Sequence, residues 1–150
     1  MENPQWICKK FDELTTAELY NIMKLRSQVF VVEQNCVYLD ADDKDLCAYH
    51  LFTYNNSKIA AYARLLAPNV SYAEASIGRV LTSPFYRKKG FGKLLMYEAM
   101  KNTQEIYNTT SIKIGAQLYL QKFYEGLGFT QTSAEYDEDG IPHIEMELKR

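Results

Sequence analysis

The spacing of apolar residues changes period several times along the chain, and each change marks a predicted element. Residues 5–11, QWICKKF, read as a first strand. From Leu14 to Phe30 the period lengthens: Leu19, Ile22, Met23, Val29 and Phe30 return at helical spacing behind a capping-box pattern of Thr15 and Glu18. One residue breaks that stripe, because Arg26 occupies an apolar-face position. A polar, aspartate-rich loop comes next, NCVYLDADDKD. CAYHLFTY, KIAAYARLLA and ASIGRVLT then predict three strands, the first two joined by a hairpin turn at NNSK. Residues 91–107 predict a helix with Leu95, Met96, Ala99, Met100 and Tyr107 on one side. SIKIGA predicts a further strand, and QLYLQKFYEGLGF a short helix with Gly128 as its C-terminal cap. TQTSAEY and IPHIEMEL close the chain as two strands joined through Asp139–Gly140. No repeat or low-complexity linker interrupts the order, which predicts one mixed α/β domain over residues 1–150.

Composition narrows the class. At 150 residues, with 47% hydrophobic and 24% charged, the chain can bury one continuous core. A net charge of −2 argues against a dedicated nucleic-acid binder. No secretory-signal pattern is present, and the apolar run IAAYARLLA is cut by Arg64, so a cytoplasmic protein outside the membrane is expected. Cys8, Cys36 and Cys47 are odd in number and widely spaced, which predicts reduced thiols rather than disulfides or a zinc site. DADDKD fails as a calcium loop, with Lys44 and Asp45 at its fifth and sixth positions and Leu51 at its twelfth. No metal is expected. The twelve tyrosines suit a half-polar cleft as well as a core.

The stretch YRKKGFGKLL, residues 86–95, carries the clearest chemistry. It joins a predicted strand to a predicted helix, whose first N–H groups have no partner within the helix and favour an anion. Gly90 and Gly92 remove side chains that would block its approach, and Arg87, Lys88, Lys89 and Lys93 add positive charge. A pyrophosphate is the natural guest. A Walker A loop would need Gly at 87 and Ser or Thr at 94, where Arg87 and Leu94 stand; a Rossmann fingerprint would need a small residue at Leu95.

The pattern that fits is R-x-x-G-x-G, Arg87 to Gly92, which resembles the acyl-coenzyme A loop of the GCN5-related N-acetyltransferase (GNAT) family. GRVLTSPFYRKKGFG resembles that family's central strand and loop, and IGAQLYLQKFYEGLGF its next strand and helix. VFVVEQNC, IGRV, GAQ, FY and GIPH together are similar to its ElaA-like branch. The resemblance implies a twisted, mostly antiparallel sheet with helices on both faces, and acetyl-coenzyme A as co-substrate. It implies that strands 76–82 and 111–116 splay apart to admit pantetheine. Val80, Leu81 and Thr82 would offer backbone hydrogen bonds, and N–H groups from Lys88 through Phe91 to Lys93 would hold the pyrophosphate. Gln117 stands where many members carry Asn, and it either contacts pantetheine or bonds the backbone at a helix start. Tyr124 resembles the family's proton donor to the departing thiolate, the alternative being a packing aromatic like most of the other tyrosines, with Phe123 expected in the core. The implied reaction is direct attack by a primary amine, of a small molecule or a protein, in a ternary complex. Dimers are common in the family, so a homodimer is possible.

The acceptor side rests on the residues. Acetyl transfer needs a polarised carbonyl and a neutral amine, and the Leu81 N–H is the expected polarising donor. Glu33 lies seven residues beyond Arg26, so a continuing helix places both on one face, with Glu33 as candidate base or as plain partner of Arg26. His50 and His143 either relay a proton or are buried and satisfied locally. Arg64 and Arg79 either bind an acceptor carboxylate or pair with Glu33 and the nearby aspartates. DADDKD and EYDEDG read as solvated loops, or as attractors of a cationic amine if they flank the mouth. Cys36 is the alternative, as an acetyl-carrying nucleophile, though no histidine adjoins it in sequence. A coenzyme A-binding regulator and a tyrosine-rich interaction module are the rival classes.

Overall fold

In the computed structural model, which describes residues 4–149, the period changes fall close to the element boundaries. The strands are β1 (Trp6–Lys10), β2 (Tyr49–Asn55), β3 (Lys58–Leu66), β4 (Ala75–Thr82), β5 (Ser111–Gln117), β6 (Thr130–Gln131), β7 (Tyr136–Glu138) and β8 (Ile141–Lys149). The helices are α1 (Thr16–Arg26), α2 (Phe91–Tyr107) and α3 (Gln121–Glu125). TQTSAEY is therefore two short strands rather than one, both paired with β8.

The local signals explain most boundaries. The Thr15 hydroxyl accepts the Glu18 N–H at 3.1 Å and the Glu18 carboxylate accepts the Thr15 N–H at 2.9 Å, which closes the capping box of α1. Asn56 and Ser57 both take positive φ in the β2–β3 turn, as do Asp139 and Gly140 between β7 and β8. Gly128, at φ +104°, ends α3 with the Phe129 N–H donating back to the Tyr124 carbonyl at 3.1 Å.

All strands join one sheet in the order β1-β2-β3-β4-β5-β8-β6, with β7 also on β8. Every pairing is antiparallel except β4 with β5. Leu95, Met96, Ala99 and Met100 of α2 cover one face with Ile112, Ile114, Ile144 and Met146; Ile22, Leu25 and Val29 cover Phe52, Tyr62 and Leu81 on the other. Mutual burial of these two faces is the main stabilising term.

Two irregularities flank β4. On one side, β4 and β5 pair only at Ala75–Ile112 and Ser76–Lys113, although β4 runs on to Thr82 and β5 to Gln117. The strands thus part into a wedge. On its other side β4 carries a bulge, because Arg64 pairs with Gly78 but Tyr62 pairs with Leu81, leaving Arg79 and Val80 opposite Ala63 alone. Among the described residues no helix is long and apolar enough to cross a membrane.

Candidate active site

The cation–glycine loop sits where the sequence puts it. Gly90, at φ +82°, is the N-cap of α2, and the first intrahelical bond runs from the Leu94 N–H to the Gly90 carbonyl at 3.3 Å. The N–H groups of Phe91, Gly92 and Lys93 precede that bond and are open to an anion. A Cβ on Gly92 would lie 3.7 Å from the Thr82 hydroxyl and 3.9 Å from the Phe123 ring. The missing side chain therefore points between the end of β4 and α3, into the wedge. Lys88, itself at positive φ, Lys89 and Lys93 are exposed around it. Loop, wedge and cations fit a pyrophosphate with an extended polar chain.

Strand alternation reassigns the wall of the wedge. The Ser83 N–H donates to the Ala60 carbonyl at 2.9 Å, which makes those residues a hydrogen-bonded pair. Two positions back, Leu81 is then bonded to Tyr62, and the peptide groups turned toward β5 are those of Val80 and Thr82. The expectation that the Leu81 N–H polarises the carbonyl is corrected: the β3 ladder consumes that donor, and the Leu81 side chain is buried under α1. Gly115 and Gln117 line the opposing strand. Gln117 starts a 3-10 turn without capping it through its side chain, so the helix-start alternative is not formed.

The aromatic pair on α3 differs from expectation in the placing of Phe123, which packs at the margin of the core rather than within it. Tyr124 is buried, 6% exposed and packed edge-on against Phe129, whereas half-buried Phe123 faces Gly92. The helix is short and begins with a 3-10 turn from Leu118 to Leu120, which changes the facing inferred from an α-helix starting at Leu118. Burial raises the Tyr124 phenol to about 12, with the Tyr119 phenol adding to it. No protein partner for its hydroxyl is present among the described residues.

Arg26 and Glu33 are not brought together. Residues Ser27–Glu33 wind as a π-helix, whose i→i+5 bonding takes more residues per turn, so seven residues no longer close two turns. Glu33 faces Arg87 instead, each carboxylate oxygen meeting one guanidinium nitrogen, one contact at 3.0 Å. Arg26 is 0% exposed and cannot reach a substrate. It binds Asp40 at 2.8 Å and Asp45 at 2.7 Å.

Three other expected acceptor residues, His50, Arg64 and Arg79, join Arg26 in one largely buried ionic cluster. Arg64 meets Asp42 at 2.6 Å and Asp45 at 2.9 Å, and Arg79 meets Asp40 at 2.8 Å. His50 holds the Tyr62 hydroxyl at 2.7 Å and the Asp45 carbonyl at 3.0 Å. Reading Arg26, His50 and Arg64 as acceptor ligands is thereby corrected, and so is reading DADDKD as a solvated loop. Three arginines at otherwise apolar positions require carboxylate partners, and buried Asp40 and Asp45 with half-buried Asp42 provide them. Burial alone would raise the Asp45 pKa, but the Arg26 and Arg64 guanidiniums bring it down to about 2. Burial pushes His50 below its ordinary range and keeps it neutral.

His143 is the histidine beside the wedge. It pairs across the ladder with Gln117, stacks on Tyr136 at 5.9 Å, donates from Nδ1 to the Ile141 carbonyl at 2.8 Å, and lies 3.3 Å from a Glu138 oxygen through Nε2. Tyr72 and Tyr136 were not foreseen. Their hydroxyls each lie 3.0 Å from where a Gly115 Cβ would be, so the glycine lets both phenols close over β5. Burial and the Glu138 and Glu145 carboxylates raise both phenols, which keeps them protonated as donors. Only the GA in IGAQ hints at that space. Cys36 donates to the Asp139 carbonyl at 3.3 Å, and burial together with the Asp139 charge raises its pKa, the opposite of an activated nucleophile.

The comparisons with known proteins agree with this geometry. A family model described as the acetyltransferase (GNAT) domain matches residues 19–150. UPF0039 protein C11D3.02c of Schizosaccharomyces pombe is 42% identical over 151 residues, 99% of each chain. ElaA of Escherichia coli is 38% identical over 144 residues, 95% of this chain and 94% of its own. The crystal structure of an acyl-CoA N-acyltransferase from Pseudomonas aeruginosa, 38% identical, superposes with a TM-score of 0.92 over 97% of this chain and 99% of that one. The crystal structure of Escherichia coli ElaA superposes with a TM-score of 0.91 over 98% and 100%. The wedge, the glycine loop and these relatives lead to one conclusion: the chain belongs to the acetyltransferase (GNAT) family and is ElaA-like.

Proposed function

We propose that this protein moves an acetyl group from acetyl-coenzyme A to a primary amine by direct attack. The observation that carries the reading is the wedge, where β4 and β5 stop pairing after Ser76–Lys113 and leave peptide groups of β4 free beside the N-terminus of α2. An extended pantetheine adds to a strand edge through such groups, with the Val80 peptide and the Thr82 N–H as partners. The N–H groups of Phe91, Gly92 and Lys93 take the pyrophosphate, and Lys88, Lys89 and Lys93 neutralise it.

The Val80 N–H, rather than that of Leu81, donates to the thioester oxygen and strengthens as charge develops there. The Tyr124 hydroxyl, without a protein partner, donates to the departing sulfur. The amine enters from the side of Tyr72, Tyr136 and His143. His143, with Glu138 beside it, takes up the amine proton through water. Glu33 is the weaker base, since its carboxylate is committed to Arg87 at the donor loop.

The negative net charge favours a diffusible or protein-borne amine over nucleic acid as acceptor, in the cytoplasm. The test is thiol release from acetyl-coenzyme A across a panel of small amines and lysine peptides, with calorimetry for the donor. Thiol release with at least one amine is expected. Donor binding with no release from any amine would favour the regulator, and no donor binding would leave only the interaction module.

A further inference from the structure

We infer that Arg79 is a positioning residue for this transfer: its grip on Asp40 holds β4 in the left-handed bulge that aims the Val80 N–H into the wedge. The inference rests on the acyl-transfer reading.

Three observations meet at this residue. Arg79 has φ +51° inside a strand, a conformation that a residue with a Cβ adopts only when its surroundings impose it. Gly78, which would take that conformation without penalty, stands immediately before it and does not. The left-handed residue is also the inserted one, because Arg79 and Val80 together face Ala63. Downstream of it Leu81 regains its partner Tyr62, so the bulge sets which peptide groups face β5.

What imposes the conformation is the aspartate loop. The Asp40 carboxylate lies 2.8 Å from the Arg79 Nε, and the Asp40 carbonyl accepts from the guanidinium at 3.0 Å. Asp42 stands 3.5 Å away, and the Tyr38 ring lies under the guanidinium at 5.9 Å. Asp40 is itself fixed, bound by Arg26 at 2.8 Å and by the Tyr38 hydroxyl at 2.9 Å. The anchor is therefore rigid, and it reaches the strand at the one residue that needs restraint. Without the tether, a side chain at 79 favours right-handed or extended backbone, the bulge shifts, and the register of Val80 and Leu81 shifts with it.

Arg79→Gly and Arg79→Ala separate this from a plain structural ion pair. Both remove the tether, but glycine accepts φ above zero and alanine does not. If Arg79 positions the bulge, Arg79→Gly loses only two- to threefold in kcat, whereas Arg79→Ala loses tenfold or more with acceptor KM little changed. Hydrogen exchange at the Leu81 amide, which reports its bond to Tyr62, should quicken in the alanine variant and stay slow in the glycine one. If the pair merely anchors the loop, glycine does as badly as alanine or worse, since glycine weakens a strand. Equal losses, an unchanged Leu81 amide in Arg79→Ala, or failure of Arg79→Gly to fold each overturns the inference. The exchange readout needs no turnover, so absence of thiol release from the wild type would count against the acyl-transfer reading and leave the bulge clamp separately judged.

Discussion

The Glu33 carboxylate clasps the Arg87 guanidinium at two points across 54 residues of sequence, tying the end of the α1 extension to the loop that caps α2. Arg87 also donates to the Thr82 carbonyl, at 3.4 Å, so the pair lies across the rim of the wedge. A phosphate arriving at α2 must compete with Glu33 for this cation. Both side chains are about 40% exposed, and exposed pairs are worth ~0–1 kcal/mol, so the competition is modest. Glu33→Gln should tighten coenzyme A binding by up to about fivefold, measured by calorimetry at low salt, with the gain fading as salt rises. Weaker binding in that variant would show that Glu33 supports the donor site instead.

The ionic cluster gives stability a pH dependence whose sign is fixed. His50 is held neutral in the fold, so below its ordinary pKa of about 6.5 the unfolded chain takes the proton more readily and the fold loses stability. Asp45, at about 2, contributes stability that is complete above its unfolded pKa of about 4 and drains away as pH falls toward 2. Thermal denaturation should therefore show the midpoint beginning to fall as the pH drops below about 6.5. His50→Asn should flatten that first decline while leaving the acid collapse. An equally steep decline in the variant would place the titration elsewhere.

How far the sequence leads differs between the two halves of the site. The donor half is readable because its chemistry is backbone chemistry: glycines at a strand–helix junction name their own consequence, and Gly90 and Gly92 stand where that logic puts them. The acceptor half is misread because it depends on long-range pairing. Arg26, Arg64 and Arg79 come from α1, β3 and β4, and only the folded sheet brings them onto a loop spanning residues 40–45. Counting helps here, since three arginines at apolar positions call for three carboxylates. The π-helical winding of residues 27–33 has no such signal, and it alone moves Glu33 away from Arg26. The role expected of Leu81 depends on its ladder parity, which a single bond, Ser83 to Ala60, decides.

Gly92 tests the donor half with little risk to the fold. Its added Cβ meets only ordinary contacts at 3.7 and 3.9 Å, so Gly92→Ala should fold with a midpoint within a few degrees of wild type. Gly92→Val places methyl groups where the wedge meets the helix N-terminus and should weaken coenzyme A binding at least tenfold. Gly90 behaves differently, because its φ of +82° strains any side chain, and Gly90→Val should lose ~1–2 kcal/mol of stability as well. Calorimetry beside thermal denaturation separates the two effects. Wild-type donor affinity in Gly92→Val would reduce the loop to a turn.

Tyr124 carries the sharpest claim about chemistry. A free phenol near ~10 and a thiol near ~8.5 are close enough for easy proton exchange, but burial moves Tyr124 to about 12. The gap to an ordinary thiol becomes about 3.5 pKa units, or ~5 kcal/mol against complete transfer to a solvated thiolate. A thiolate leaving inside the same wedge is desolvated too, which raises its own proton affinity and narrows that gap. The phenol therefore acts chiefly as a hydrogen-bond donor to charge developing on sulfur, a role that needs it protonated throughout the working pH range. Tyr124→Phe keeps the packing against Phe129, so fold and donor affinity should persist while kcat falls about a hundredfold, the low end of the usual range for acid–base catalysis. The kcat profile of the wild type should show no basic limb from this group below about pH 10. A limb near pH 8–9 that disappears in Tyr124→Phe would mean that the phenol ionises far below the value its burial dictates. Full turnover in the variant, with chemistry rate-limiting, would mean that the sulfur takes its proton from another donor.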